Sequence, residues 1–444
     1  MVDGCVDEIT GEGWVGTVRK AVREIVERLA RGQGKEQRVA RKTMRLALLV
    51  MAAMMAAAVL AACGGGSGGN SGGGGGGGGG EEAQGVDLSK RSQFFDQQEY
   101  ERQLRLRDVE PEGPSDEPWI QALEPEMVDT SQYKTEGPWN VCFSNAAIDN
   151  PWRQTGWTTM QAEVELHDQI GDFQAVDAEA QDEKQISDIE QLVSGGNCDA
   201  LIVSPNTTAT LTPAVEQACD ADIPVIVFDR GVNTDCPVTF IHPIGGYAFG
   251  ADAAEFLVDE VDDGGNVLAL RILPGVDVLE TRYDAAKEIF EQENVNVVGA
   301  EFTDGDPAKT KSIVTDYIQR FGQIDGIWMD AGATAVAATE AFEDSGMEVP
   351  PITGEDQMDF LTKWEEEDLT AIAPTYSNYQ WRTPIIAAEM ILSGEEVPKE
   401  WILPQPAVTQ ENLADYNDSS MPPLHYALCG CEEMPGYPER WQDR

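Results

Sequence analysis

From Trp139 onward, short apolar runs alternate with longer mixed stretches. The runs are Val141–Phe143, Phe173–Val176, Ala200–Val203, Pro224–Phe228 and Val238–Ile241, then Val267–Ile272, Val297–Phe302, Ile324–Met329, Ile352–Gly354 and Leu369–Ala373. They are continuous and rich in β-branched residues, the pattern of strands buried on both faces. Helix-length stretches separate them near 151–166, 181–194, 207–220, 246–261, 278–292, 307–321, 333–345 and 357–366. A last one, near 379–393, precedes Trp401–Val408 and a proline-rich tail. Strand–helix alternation predicts parallel sheets with right-handed crossovers. Ten strands exceed one small sheet, so the pattern predicts an α/β protein of two doubly wound parallel-sheet lobes in series. Upstream, Asp87 to Arg107 is expected to form one helix, with Phe94, Phe95, Tyr100 and Leu104 as its apolar points.

The N-terminal pattern is different. Residues 46–62 are an uncharged apolar run, preceded by Arg38, Arg41, Lys42 and Arg45 and followed by Cys63. A basic start, a short apolar core and small residues before a cysteine read as an export signal with a lipobox, so cleavage before Cys63 and lipidation of its sulfur are expected. The run is at the short edge for a membrane span. Met44 directly precedes Arg45, so residues 1–43 are expected to be a gene-calling extension. Residues 64–80, with fourteen glycines, read as a flexible tether.

The 444 residues carry a formal charge of −49, from 30 basic and 79 acidic side chains. This excludes a nucleic-acid partner, which needs a basic face, and docking on an anionic membrane by charge. Without residues 1–62, twenty basic and seventy-two acidic side chains would remain, a charge of −52. Such self-repulsion is relieved by salt, which suggests a salty or alkaline setting. Hydrophobic content of 41% is too high for a disordered acidic chain. Three histidines leave little room for a histidine-rich metal centre. No cofactor or metal is expected.

In open α/β sheets, ligands bind beyond the carboxyl ends of the strands. Those positions hold Asn150, Trp152 and Arg153 after the first run, Asp229 and Arg230 after the fourth, and Arg282 after the sixth and its loop. Asp330 follows the eighth run, Glu355 and Asp356 the ninth, and Thr375 to Trp381, including Gln380, the tenth. Carboxylates accept from hydroxyls, guanidinium forks donate to them, and an indole face covers the apolar side of a sugar ring. The set suits a small neutral polyhydroxyl ligand. Taken singly, an Asp–Arg pair can be a salt bridge, Arg282 a solvated helix residue, Trp152 a core aromatic and Asp330 a helix cap.

Phe143-Ser144-Asn145, Asn150-Pro151-Trp152-Arg153, Ala200 to Asn206 and Ile223 to Gly231 resemble the ribose/galactose-type, class I periplasmic sugar-binding proteins of bacterial ABC importers. The resemblance runs over about residues 138–408. It implies a lipoprotein form of a hinged, monomeric binding protein. Such a protein closes on a monosaccharide or polyol and delivers it to an ABC permease and its ATPase from the outer or periplasmic face of the membrane. By this resemblance Asn150, Trp152, Arg153, Asp229, Arg230, Arg282 and Asp356 contact sugar. Asp330, Gln380 and Trp381 are added from their positions. Departures are Gly305 where many relatives have an aromatic, Ala331 where many have Asn, and no Asp-Asn after the fifth strand. Ribose specificity is therefore not inherited.

Three crossings between lobes are expected near 242–245, 373–378 and 400–408. The organisation reads as 1–43 extension, 44–62 signal peptide, 63–80 lipidated Cys63 and linker, and 81–137 acidic N-terminal extension. Residues 138–243 plus 376–401 form lobe 1, and 244–375 plus 402–444 form lobe 2 and tail.

The exported setting permits disulfides. Cys219–Cys236 is the preferred pair, Cys142 is read as a buried free thiol, and Cys429-Gly430-Cys431 as a disulfide or loop thiols rather than a metal site. No nucleophile elbow follows a strand and no phosphate loop is present, so no enzyme activity is expected. A sugar-sensing receptor subunit is an alternative reading. A glycosidase using Asp229 and Asp356 across one bond ranks behind it.

Overall fold

The structure, a computed structural model, describes residues 86–442. The lipobox, Cys63, the tether and residues 1–43 lie outside the described residues. Within them, no helix is long and apolar enough to cross a membrane.

A small antiparallel pair joins β1 (Met127–Val128) to β12 (Val397–Pro398). The first large sheet holds β2 (Trp139–Asn145), β3 (Ile170–Asp177), β4 (Ala200–Ser204), β5 (Val225–Phe228), β6 (Thr239–Pro243) and β13 (Glu400–Leu403). Its order is β13-β6-β5-β4-β2-β3, and every pairing is parallel. The second holds β7 (Asn266–Arg271), β8 (Asn296–Phe302), β9 (Gly326–Met329), β10 (Ile352–Thr353), β11 (Ala371–Pro374) and β14 (Ala407–Val408). Its order is β14-β11-β10-β9-β7-β8. All its pairings are parallel except β14 on β11. The first five strands of each lobe thus follow one doubly wound order, reversing at β2 and at β7. A crevice opens at such a reversal beyond the strand ends. The strands are apolar runs because both faces are covered: Val141, Phe143, Ile202, Ile226 and Phe228 are fully buried.

The helices are α1 (Gln97–Leu106), α2 (Pro151–Val164), α3 (Asp182–Gly195), α4 (Thr208–Asp220), α5 (Gly246–Glu260), α6 (Asp277–Gln292), α7 (Pro307–Phe321), α8 (Ala333–Asp344), α9 (Met358–Glu367) and α10 (Thr383–Ser393), with short α11 (Leu413–Tyr416) and α12 (Glu439–Gln442) in the tail. The chain leaves the first sheet after β6 for α5 of the second lobe. It returns after β11 through a 3-10 turn, Asn378–Trp381, to α10 on the first sheet. It crosses again between β13 and β14.

Two glycines bring α5 against α6. A Cβ on Gly250 would overlap the Arg282 carbonyl, and one on Gly246 would overlap Thr281 and the Val278 carbonyl. This close approach sets where Arg282 emerges.

Two expectations are corrected, for the N-terminal helix and for Cys142. Residues 87–107 are not one helix. Asp96 accepts from the backbone N–H groups of Gln98 and Glu99, which starts α1 there. Within Trp401–Val408 the chain passes from one sheet to the other, between two short strands separated by Pro404 and Pro406, which cannot donate to a ladder. Cys142 is not a free thiol. It bonds Cys198, with Cα atoms 5.6 Å apart, because β2 and the β4 entry are neighbours. Cys219–Cys236 is bonded as expected, and Cys429 is bonded to Cys431.

The N-terminal segment docks. Phe95 and Tyr100 pack edge-on against Tyr247 of α5. Arg107 reaches Asp252 and Glu255 of the same helix, and Arg102 pairs with Glu400 of β13 at 2.6 Å.

Candidate functional site

The two sheets present their carboxyl ends to one cavity of about 390 Å³, within the ~300–1,000 Å³ of small-molecule sites. From the first lobe it is lined by Asn150, Trp152, Arg153, Asp229 and Arg230. From the second it is lined by Arg282, Asp304, Gly305, Ala331, Glu355, Gln357 and Tyr426, with Tyr376 from a crossing segment. A larger hollow, about 760 Å³, lies among the N-terminal segment, the crossings and the tail; no predicted site residue lines it.

Asn150 caps α2, its Oδ1 accepting from the Arg153 N–H at 3.0 Å, and Pro151 follows at the first helical position. The cap aims Arg153 across the sheet end. There its Nη2 donates to Asp229 Oδ2 at 2.5 Å and its Nη1 donates to Ser204 Oγ at 3.2 Å. Burial lowers the Arg153 pKa, and the Asp229 carboxylate opposes that shift. Asp229 sits at φ 67°, a left-handed conformation that Asp tolerates better than most residues. The neighbours Asp229 and Arg230 do not pair with each other. Arg230 instead donates to the Asn206 carbonyl at 2.6 Å.

Across the cavity, Arg282 is buried, not solvated. Its Nη1 donates to the Asp330 carbonyl at 2.7 Å and to Glu355 Oε1 at 2.8 Å, and its guanidinium lies 3.8 Å from the Phe249 ring centroid. Its Nε has no partner among the described residues. Tyr376 stands between the lobes. Its hydroxyl donates to the Asp229 carbonyl at 3.0 Å, its own carbonyl accepts from Trp152 Nε1 at 2.9 Å, and the Arg282 guanidinium lies 5.5 Å from its ring centroid.

Four predicted residues do not line the cavity. Trp381 is fully buried in the first-lobe core between Phe143, Phe228 and Trp152. Gln380 is buried and donates to the Ser377 carbonyl at 3.1 Å. Asp330 Oδ1 accepts from the Ile272 N–H at 2.9 Å, tying β7's end to β9's. Asp356 Oδ2 accepts from the Leu428 N–H of the tail at 2.8 Å. Burial pushes both Asp330 and Asp356 up to about 7. Nearby Arg282 and Arg271 oppose the shift at Asp330, and the Leu428 N–H opposes it at Asp356.

Sequence reasoning passed over Gln357 and Tyr426 and named Glu355 and Tyr376 only as neighbours. Gln357 adjoins Asp356 at the same strand end, so one residue further would have found it. Tyr426 carried no local signal, because the tail meets β10's end only through the fold.

His425, Cys429 and Cys431 lie within 4.8 Å of one another. The two sulfurs are bonded to each other, which removes both thiolates as ligands.

The buried charges in the cavity form two pairs, Arg153 with Asp229 and Arg282 with Glu355, and Arg230, Asp149 and Asp304 line it as well. Indole, phenol and aliphatic surface lie between them. Such a wall offers hydrogen bonds of both senses.

The family description "Periplasmic binding protein domain" matches residues 141–396. The ribose import binding protein of Bacillus subtilis is 27% identical over 236 residues, 53% of this chain and 76% of that protein. A xylitol-binding protein of Mycolicibacterium smegmatis is 22% identical over 232 residues, 52% of this chain and 66% of that one. Among solved structures, a solute-binding protein from Thermobispora bispora superposes with a TM-score of 0.58 at 23% identity, over 65% of this chain and 90% of that one. One from Bacillus halodurans with bound myo-inositol gives 0.57 at 22%, over 64% of this chain and 98% of that one. By fold, topology and family match, this chain belongs to the periplasmic binding proteins, as a member of the class I, sugar-binding type.

Proposed function

We propose that the protein captures a neutral sugar or polyol between its lobes and hands it unchanged to an ABC permease. One observation carries this reading: residues from both lobes line one cavity in which the two buried guanidinium groups, Arg153 and Arg282, each have their own carboxylate, while half-buried Arg230 bonds a backbone carbonyl. Hydroxyls can add to these two pairs without breaking either, because carboxylate oxygens keep lone pairs to accept and guanidinium groups keep N–H groups to donate. Relatives named for ribose, xylitol and galactofuranose binding support the ligand class.

The ligand-contacting set on this reading is Asn150, Trp152, Arg153, Asp229, Arg230 and Arg282, with Glu355 and Tyr376. A ligand touching both lobes favours the closed arrangement by its differential affinity. Hydrolysis of a glycoside needs two carboxylates flanking one bond. Asp229 is held by Arg153, and Asp356 does not line the cavity, so binding without turnover fits better. Anchoring through lipid on Cys63, an extracytoplasmic setting and a monomeric state belong to the same reading.

Isothermal titration against pentoses, hexoses and polyols, with aryl glycosides assayed for turnover, tests it. Saturable binding of one neutral compound without turnover supports the reading, and glycoside cleavage would replace it with an enzyme.

A further inference from the structure

The family match ends at residue 396, yet the tail beyond it reaches the cavity. Residues 423–428 run along the end of β10 and the start of α9. The Met358 N–H donates to the His425 carbonyl at 2.9 Å and the Asp359 N–H to the Pro423 carbonyl at 2.7 Å. The Ala427 N–H donates to the Asp356 carbonyl at 2.8 Å, and Gln357 and Tyr426 form an antiparallel bridge. The tail then returns to the first lobe, where Trp441 Nε1 donates to Thr159 Oγ1 of α2 at 3.1 Å and Arg440 pairs with Glu165.

Two consequences meet in the cavity wall. The Asp356 carboxylate is engaged by the Leu428 N–H and does not line the cavity. In its place stand Gln357 and Tyr426. Gln357 is 1% exposed, and neither its amide oxygen nor its amide nitrogen has a partner among the described residues. A buried amide with both ends unpaired is a donor and an acceptor side by side, which two adjacent hydroxyls of a neutral ligand would satisfy. Tyr426 donates its hydroxyl to Glu355 Oε2 at 3.1 Å. This fixes the ring and leaves its oxygen free to accept.

We infer that the C-terminal tail completes the ligand site, and that Gln357 and Tyr426 contact the ligand and set which sugar or polyol is accepted. This rests on the sugar-binding reading above. The ligand's adjacent hydroxyls on the second-lobe side meet a neutral amide and a phenol rather than the Asp356 carboxylate.

The test is titration of the full-length protein and its Gln357→Glu and Tyr426→Phe variants against the tightest-binding compound and its epimers, with a melting curve for each. Gln357→Glu keeps the shape but replaces the donor by an acceptor. Each variant is expected to melt near wild type, to bind on the order of tenfold or more weakly, and to change the ranking among epimers. A tail that only braced the wall would lower affinity for all epimers alike, and that result overturns the inference. Wild-type affinity and ranking in both variants also overturns it, while sugar binding by the wild type still stands. If the wild type binds none of these compounds, the sugar-binding reading itself fails and takes this inference with it. Should one variant melt far below wild type, the ranking shown by the other decides.

Discussion

Arg153 and Asp229, 76 positions apart, meet at 2.5 Å with both side chains about 95% buried. The pair joins the first turn of α2, which follows β2, to the end of β5, so the ends of two strands that are not adjacent share one group in the cavity wall. Tyr376 fixes the same point from a crossing segment through its bond to the Asp229 carbonyl.

Removing one partner strands the other as a buried, uncompensated charge. Asp229→Ala is expected to cost about 3–5 kcal/mol of stability and to abolish ligand binding. The double variant Arg153→Met with Asp229→Leu should recover most of the stability and none of the binding, because an apolar pair of similar volume needs no compensation. Urea unfolding and titration of both variants check this. A single variant as stable as wild type contradicts the pairing.

Stability against pH follows from Asp330 and Asp356. Their folded pKa of about 7 lies above the unfolded value of ~3.9. The native state therefore holds more protons than the unfolded chain between about pH 4 and 7, and stability falls as pH rises through that window. Asp330→Asn and Asp356→Asn keep a side-chain oxygen to accept from Ile272 or Leu428. Each is expected to remove up to about 1.4 kcal/mol per pH unit of that slope and to gain most, relative to wild type, at pH 8. Glu400 acts oppositely. Burial disfavours its ionisation, but His242 and Arg102 outweigh burial and hold it at about 2, so its contribution is lost only in strong acid. Melting curves from pH 4 to 8 read the two aspartate terms, and their extension down to pH 2 reads the Glu400 term.

Gly156 lies on α2 directly against the Trp381 indole, where a Cβ would overlap the ring. Gly156→Ala is expected to destabilise by about 1–3 kcal/mol through overpacking, despite alanine's better helix propensity. Because Trp381 backs Trp152 in the cavity wall, ligand affinity should fall with it. A stabilised variant would show that Trp381 does not hold this position.

Peptide mapping without reduction is expected to find Cys142 linked to Cys198 and Cys219 linked to Cys236. Loss of the first bridge, which closes a loop across 56 residues, should cost about 2–5 kcal/mol. Free thiols at these four positions contradict the assignment.

The continuous apolar runs made the strands legible, since a doubly covered strand cannot hide its pattern. They placed β2 to β11 and the polar groups at their ends. Trp381 and Gln380 misled because a 3-10 turn, not a strand-end loop, carries them, and its packing turns the indole into the core. Asp330 and Asp356 stood at the right ends but serve backbone N–H groups. Cys142 was misread because pairing with Cys198 depends on the lateral order of β2 and β4, which no local pattern encodes. Tyr426 was invisible for the same reason, at a distance of 71 positions from Glu355.

Calorimetric titration of the full-length protein, after unfolding and refolding to release anything carried through purification, tests the central claim most directly. One neutral sugar or polyol should bind saturably, and at a hundred times its dissociation constant should add about 2.7 kcal/mol of stability. Arg282→Ala and Arg230→Ala should each weaken that binding. A refolded protein that binds none of the pentoses, hexoses or polyols, or that binds one equally well in both variants, contradicts the claim that the interlobe cavity is a sugar site.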